Sequence, residues 1–290
     1  MTAHEQWTMK PGIYTADQLS NTEYHAGPGI SCTGLKKIAV SPSHYKNGDH
    51  KQTAAMFMGS ATHSAILEPE SFAKQYVTMP AGKDRRSTEY KALAAEYGAD
   101  NVLSGADSHQ IQMMQKAVRA NPVAHKWLYE QPGRNELSVY AKDPETGVLV
   151  RCRFDRLLDR GFSPDLKTTT DASPDGFSRI IAKYGYAFQA AFYLDTYYWA
   201  TGQQLEGFGF VCVEKTAPYS VMCYRLDDES IEIGRSQYRA ALNKYSDCLE
   251  SGIWNGYDGC DEENLIGLPM WALNQYQDEL DDSVVFGDEQ

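Results

Sequence analysis

Apolar and polar positions change their period along this chain. Up to about residue 134 the spacing is helical. Residues 1–50 predict turns, at Pro11-Gly12 and Gly27-Pro28-Gly29, and short helices, one of them opening near Leu35 with Ser31 or Thr33 as its cap. Residues 52–67, QTAAMFMGSATHSAIL, predict an apolar helix ended by Glu68-Pro69, and residues 80–86 a polar loop. Amphipathic helices are expected near 87–97 and 106–120, the second broken by Asn121-Pro122. From Asn135 the period becomes two. Residues 135–142 and 148–158 read as a hairpin about the turn signal Asp143-Pro-Glu-Thr-Gly147, and a further strand reaches Lys167. Residues 176–200 are helical, with Gly185 as a break and Gly202 as a C-cap; 206–215 and 220–226 form a second hairpin, and 228–251 a long helix. The order predicts an α/β sheet wrapped by helices. With no repeat or low-complexity linker, it predicts an N-terminal extension over 1–50 packed on a main domain over 51–254, and a partly disordered acidic tail over 255–290.

Charge alters that picture in one respect. The formal net charge is −12, yet the segment from Asn255 to Gln290 holds ten acids and no Lys or Arg, so the rest is close to neutral. Basic clusters remain at Lys83, Arg85, Arg86 and Lys91, and at Arg134, Arg151, Arg153, Arg156 and Arg160. An acidic total argues against nonspecific coating of DNA and leaves a nucleic-acid enzyme open. No run approaches 18 uncharged apolar residues, so no membrane span is expected. The six Cys lack any C-x-x-C pair, and no basic-then-apolar leader opens the chain, which predicts a reduced, cytoplasmic protein without a zinc ribbon or iron–sulfur cluster.

The chemistry-bearing candidates cluster around the third strand. Asp165 and Lys167 flank Leu166, so strand alternation turns both to one face and Leu166 toward a core. Asp155 ends the preceding strand, Glu136 lies on the strand before that, and His63 interrupts the apolar helix. Gln189 and Tyr193 share a face of the helix that follows. Taken singly each has an ordinary explanation: a solvated edge or salt bridge for the Asp-Leu-Lys triplet, a surface acid for Glu136, a pair with Arg153 or Arg156 for Asp155, packing for His63, core for Tyr193. Taken together, two carboxylates, an imidazole and an ammonium could bind a divalent cation and orient a water.

In order, G-x-x-x-H (Gly59 to His63), Glu136, F-D-R (Phe154-Asp155-Arg156), D-x-K (Asp165-Leu166-Lys167) and Q-x-x-x-Y (Gln189 to Tyr193) resemble the motif series of RecB-type nucleases in the PD-(D/E)xK superfamily. The segments GSATHSAILEPE and Gly82–Thr88 make the chain similar to phage and prophage exonucleases of the RecE (exodeoxyribonuclease VIII) type, over roughly residues 12–252. The resemblance implies a restriction-endonuclease-like core: a central mixed sheet flanked by helices, with an N-terminal helical elaboration. It implies Mg2+ or Mn2+ on Asp155, Asp165 and the Leu166 carbonyl, with His63 at a second metal position. Glu136 would act through a water or at the edge of the site, Lys167 would hold and activate the attacking water, and Gln189 and Tyr193 would orient Lys167 or bind phosphate. Lys83, Arg85, Arg86, Arg151, Arg153 and Arg156 are the expected DNA contacts. The implied activity is 5′ to 3′ digestion of linear duplex DNA to leave 3′ single strands, by a ring-like homo-oligomer, such as a tetramer, working with a RecT-like annealing protein. An endonuclease of the same fold, or a non-catalytic DNA-binding or inhibitory relative, is the alternative; a CRISPR-adaptation nuclease would carry a four-Cys cluster that this sequence lacks.

Overall fold

A computed structural model describes residues 9–48, 53–257 and 262–276. The chain begins with β1 (Gly12–Tyr14), α1 (Asn21–Ala26), β2 (Ile30–Ser31), α2 (Cys32–Val40) and α3 (Pro42–Asn47). Next come α4 (Ala54–Leu67), α5 (Pro69–Gln75), β3 (Val77–Thr78), α6 (Thr88–Tyr97), β4 (Val102–Leu103), α7 (Gly105–Ala120) and α8 (Pro122–His125). A π-helical turn, Lys126–Glu130, leads into β5 (Gly133–Lys142), β6 (Leu149–Leu158) and β7 (Phe162–Thr169). The remainder is α9 (Pro174–Tyr184), α10 (Tyr186–Thr201), β8 (Gly207–Glu214), β9 (Val221–Arg225) and α11 (Asp228–Ser251).

Local chemistry sets these boundaries. Ser31, one of the two caps the sequence allowed, caps α2 by accepting from the Gly34 amide. Glu68-Pro69 ends α4, and Pro69 also starts α5, because proline fits the first helical turn where its missing N–H has no partner to lose. Gly185 and Gly202 end α9 and α10 in the left-handed region, at φ +62° and +72°.

Two sheets carry the core. One has the order β1-β5-β6-β2, and the other β7-β8-β9. The N-terminal segment therefore supplies two strands as well as helices, β1 antiparallel to β5 and β2 parallel to β6. Strand β7 runs parallel to β8, with α9 and α10 as the crossover, and β9 returns antiparallel. One apolar core lies against α2, α10 and α11, around Leu35, Phe154, Phe192, Phe210 and Leu242. A second lies against α4 and α7, around Ala61, Ile66, Met114, Leu166 and Val211. Helices thus cover both faces, the layered arrangement expected of an α/β domain.

The acidic segment expected as a tail falls partly outside the described residues, at 258–261 and 277–290. Its root is fixed: the Ser43 amide donates to the Asn255 carbonyl at 2.8 Å, and Tyr257 packs on His44. Residues 270–276 are helical.

Candidate active site

The two sheets meet along β6 and β7, and the seam between them is laced by side chains rather than by a backbone ladder. Pro164 has no N–H to offer across it. Ser163 Oγ donates to the Arg156 carbonyl at 3.0 Å, and the Leu166 amide donates to Asp155 Oδ2 at 2.8 Å. The Asp155 carboxylate thus ties β6 to β7. His63 reaches the same oxygen from α4, with Nδ1 at 3.3 Å, and also lies against the Leu166 carbonyl. The salt bridge from Asp155 to Arg153 or Arg156, one reading of the sequence, does not form.

Strand alternation places the rest. Leu166 is buried in the α4/α7 core while Asp165 and Lys167 point to the α10 side. Asp165 is only 2% exposed. The Gln189 side chain, on α10, bridges the pair: its amide nitrogen donates to Asp165 Oδ1 at 2.7 Å, and its carbonyl accepts from Lys167 Nζ at 3.1 Å. Asp165 Oδ2 lies 2.6 Å from Lys167 Nζ, so the two form a buried ion pair. Lys167 also sits over the Tyr186 ring, 4.5 Å from its centre. Residues 31–266 match a family described as a PDDEXK-like domain of unknown function (DUF3799). The chain belongs to this family.

The fold is similar to that of a candidate exonuclease from Eubacterium rectale, with 14% identity, a TM-score of 0.61, and 92% of this chain and 98% of that one covered. A phage-related exonuclease from Haemophilus somnus 129PT aligns over 78% of this chain and 97% of its own, with 13% identity and a TM-score of 0.34. No curated protein matches the chain. The family match over residues 31–266 establishes the PDDEXK-like core.

Within this PDDEXK-like site the ionisable groups are strongly perturbed. Burial, then the Asp165 charge, raises Asp155 to about 8. Burial, then Asp155, raises Glu136 to about 7, against the opposing pull of Arg153. His63 is pushed down by burial and by the Lys167 charge. Burial opposes the Lys167 charge, but the Asp165 and Asp155 carboxylates prevail and hold the ammonium well above its ordinary value. Glu136 has a left-handed backbone, φ +50°, a conformation costing a non-glycine residue about 1–3 kcal/mol and retained where function or surroundings impose it.

The donor set fits a hard divalent cation. Two carboxylates converge at the seam, Asp155 from β6 and Asp165 from β7, and the Leu166 carbonyl directly follows Asp165 in the chain. Among the described residues no three His, Cys, Asp or Glu side chains form a complete cage.

Four other expectations resolve differently. Tyr193 packs its ring on Phe154 at 5.2 Å and Phe208 at 6.0 Å, and it is Gln189 that holds Lys167. Arg151 is committed to the carbonyls of Tyr24, His25 and Gly27 around the end of α1. Arg153 donates to Glu136, Ser138 and the Leu19 carbonyl. Arg156 donates to Asn135 and to the carbonyls of Trp127 and Gln131. These three guanidiniums are spent inside the fold because strands β5 and β6 place them over loops whose carbonyls need donors. Lys83, Arg85 and Arg86 lie on the exposed 80–86 loop, Lys83 paired with Glu89 and Arg86 with Asp84. Sequence reasoning passed over Tyr186 and Lys36. Tyr186 was findable, since it precedes Gln189 by one helical turn; Lys36 comes from an element 148 residues away from its partner Tyr184 and left no local signal.

Proposed function

We propose that this protein is a divalent-metal-dependent nuclease hydrolysing DNA phosphodiesters, and that it digests linear duplexes from their ends. The observation that carries the reading is the Asp165–Gln189–Lys167 bridge beside the Asp155 carboxylate. A cation held by Asp155 and Asp165 would supply Lewis acidity and a bound water of lowered pKa. The chain's own residues do the rest. Asp165, locked by Gln189, cannot swing away from the scissile phosphate. Lys167 is held as an ammonium, which makes it a donor: it orients a water through the oxygen lone pair and offsets negative charge developing on phosphorus-bound oxygens. His63 and Glu136 flank Asp155, with the Glu136 carboxylate held by Arg153.

The same proposal extends to Mg2+ as the physiological ion, 5′ to 3′ polarity, 3′ single-stranded products for recombination by annealing, and a ring-like assembly. Linear duplex labelled at each 5′ end in turn, incubated with and without Mg2+, tests it. Release of the labelled ends from linear DNA, sparing of covalently closed circles and arrest by EDTA are expected. Full Mg2+-dependent digestion by Lys167→Ala would overturn the assignment.

A further inference from the structure

Tyr184 closes α9 and is 52% exposed. Its backbone is fixed from two sides. Gly185 takes the left-handed turn behind it, and Lys36 Nζ, from α2, donates to the Tyr184 carbonyl at 2.8 Å. The Tyr184 ring stacks on Tyr186, with centres 5.9 Å apart and planes inclined by 25°, and Tyr186 in turn lies beneath Lys167 Nζ. Two aromatic rings therefore step from solvent to the reactive lysine. Two further ammonium groups accompany them. Lys183 Nζ lies 5.5 Å from the centre of Tyr184, and Lys36 Nζ lies 5.7 Å from the centre of Tyr186. Lys36 has three donors and gives one to the Tyr184 carbonyl. It is near enough to the site that both Asp165 and Lys167 act on its charge.

Core packing does not account for a half-exposed tyrosine held this firmly. Exposed rings interleaved with ammonium groups are what unpaired nucleic acid requires, because bases stack on the rings and phosphates meet the cations. Resting on the nuclease reading above, we propose that Tyr184 is a stacking platform for an unpaired nucleobase next to the scissile phosphate. Lys183 and Lys36 face the phosphates on either side of that base. The reacting strand is thereby held single-stranded at the site entrance, so the partner duplex must be parted before cleavage.

The test uses the full chain in EDTA, with single strands and duplexes carrying 2-aminopurine at the terminal or penultimate nucleotide of either end. Stacking on Tyr184 should quench the fluorescence in the wild type and in Tyr184→Phe, and Tyr184→Ala should lose the quench. Affinity for the single strand should fall roughly five- to a hundredfold in Tyr184→Ala, the range for loss of one base–aromatic stack. An abasic nucleotide at the quenched position should weaken the wild type and leave Tyr184→Ala no weaker. Equal quenching in wild type and Tyr184→Ala, or no binding of the strand at all, overturns the platform. The nuclease reading is judged separately, by Mg2+-dependent digestion of linear duplex by the wild type. Digestion without the stacking signature removes this proposal alone, and absence of digestion removes the reading beneath it.

Discussion

Glu136 and Asp155 stand opposite one another on β5 and β6, at the one rung where that ladder lapses. Register is kept on both sides, with Asn135 facing Arg156 and Leu137 facing Phe154. The left-handed turn at Glu136 removes a backbone pair and leaves two carboxyl groups facing each other in a partly buried cleft. Burial, then the Asp155 charge, raises Glu136 to about 7, and burial, then the Asp165 charge, raises Asp155 to about 8. Unfolded carboxyl groups titrate near about 4. The folded protein therefore binds these protons more tightly than the unfolded chain, and their contribution to stability is lost as pH rises from about 4 to about 8. Without metal, the Tm of Asp155→Asn should gain on that of the wild type steadily across this window. A difference in Tm that stays constant with pH contradicts the assignment.

A divalent cation reverses the trend, because it binds the ionised carboxylates and competes with their protons. Added Mg2+ should raise the Tm of the wild type more at pH 8 than at pH 5, and should do little for an Asp155→Asn, Asp165→Asn double variant. Thermal melts at fixed protein concentration across a Mg2+ series measure this directly.

The Gln189 bridge sets the position of both reactive groups, so Gln189→Ala should slow the chemical step with the fold intact. Residues that orient metal ligands typically account for about 10–100-fold in activity, and a kcat decrease of that order on linear duplex is expected, with a smaller change in KM. Lys167→Ala should cost more, about a hundredfold or above, the usual loss for one preorganised donor at a developing charge. Single-turnover digestion of end-labelled DNA separates these effects from product release.

Much of this was legible in the chain, for physical reasons. The alternation around Leu166 had to turn Asp165 and Lys167 to one face, and the spacing of apolar residues along 176–200 had to bury a helix stripe from which Gln189 projects. The seam was not legible. Nothing in the periodicity of 148–169 reveals that β6 and β7 lie side by side without a backbone ladder, because Pro164 has no N–H and the Asp155 carboxylate takes the Leu166 amide in place of a backbone acceptor. Nor was the fate of the arginines. A cluster such as Arg151, Arg153 and Arg156 reads as a basic patch until one sees which carbonyls lie within reach, and those belong to residues 19–27 and 127–131, far away in sequence.

That reassignment separates two kinds of basic residue. Arg153→Ala would leave Glu136 buried without its partner, a change that typically costs about 3–5 kcal/mol, and should appear as a lower unfolding midpoint. Replacing Lys83, Arg85 and Arg86 by Ala should leave the midpoint alone and instead weaken duplex binding. If the loop contacts phosphates, the salt dependence of log Kd should lose about 0.9 in slope for each contact removed. An unchanged slope in the triple variant would take the 80–86 loop out of the DNA path.

The bridge depends on how closely α10 approaches α11, and one glycine decides that distance. A Cβ added at Gly234 would lie 2.2 Å from the Ala187 carbonyl oxygen and 2.8 Å from the Phe188 amide nitrogen, backbone atoms of the turn that carries Gln189. Backbone cannot rotate out of the way as a side-chain end can, so Gly234→Ala must push the two helices apart. Overpacking of this kind costs about 1–3 kcal/mol, and the urea midpoint should fall with little change in slope. Because α10 shifts relative to β7, the Gln189 contacts to Asp165 and Lys167 should lengthen and kcat should fall as well. Gly59→Ala is the control. It lies within α4 with open space where its Cβ would be, so the same substitution there should be neutral or stabilise by about 0.5–1 kcal/mol through the unfolded chain. Loss of both stability and kcat in Gly234→Ala alone would show that helix spacing, rather than the generic effect of replacing a helical glycine, holds the bridge in place.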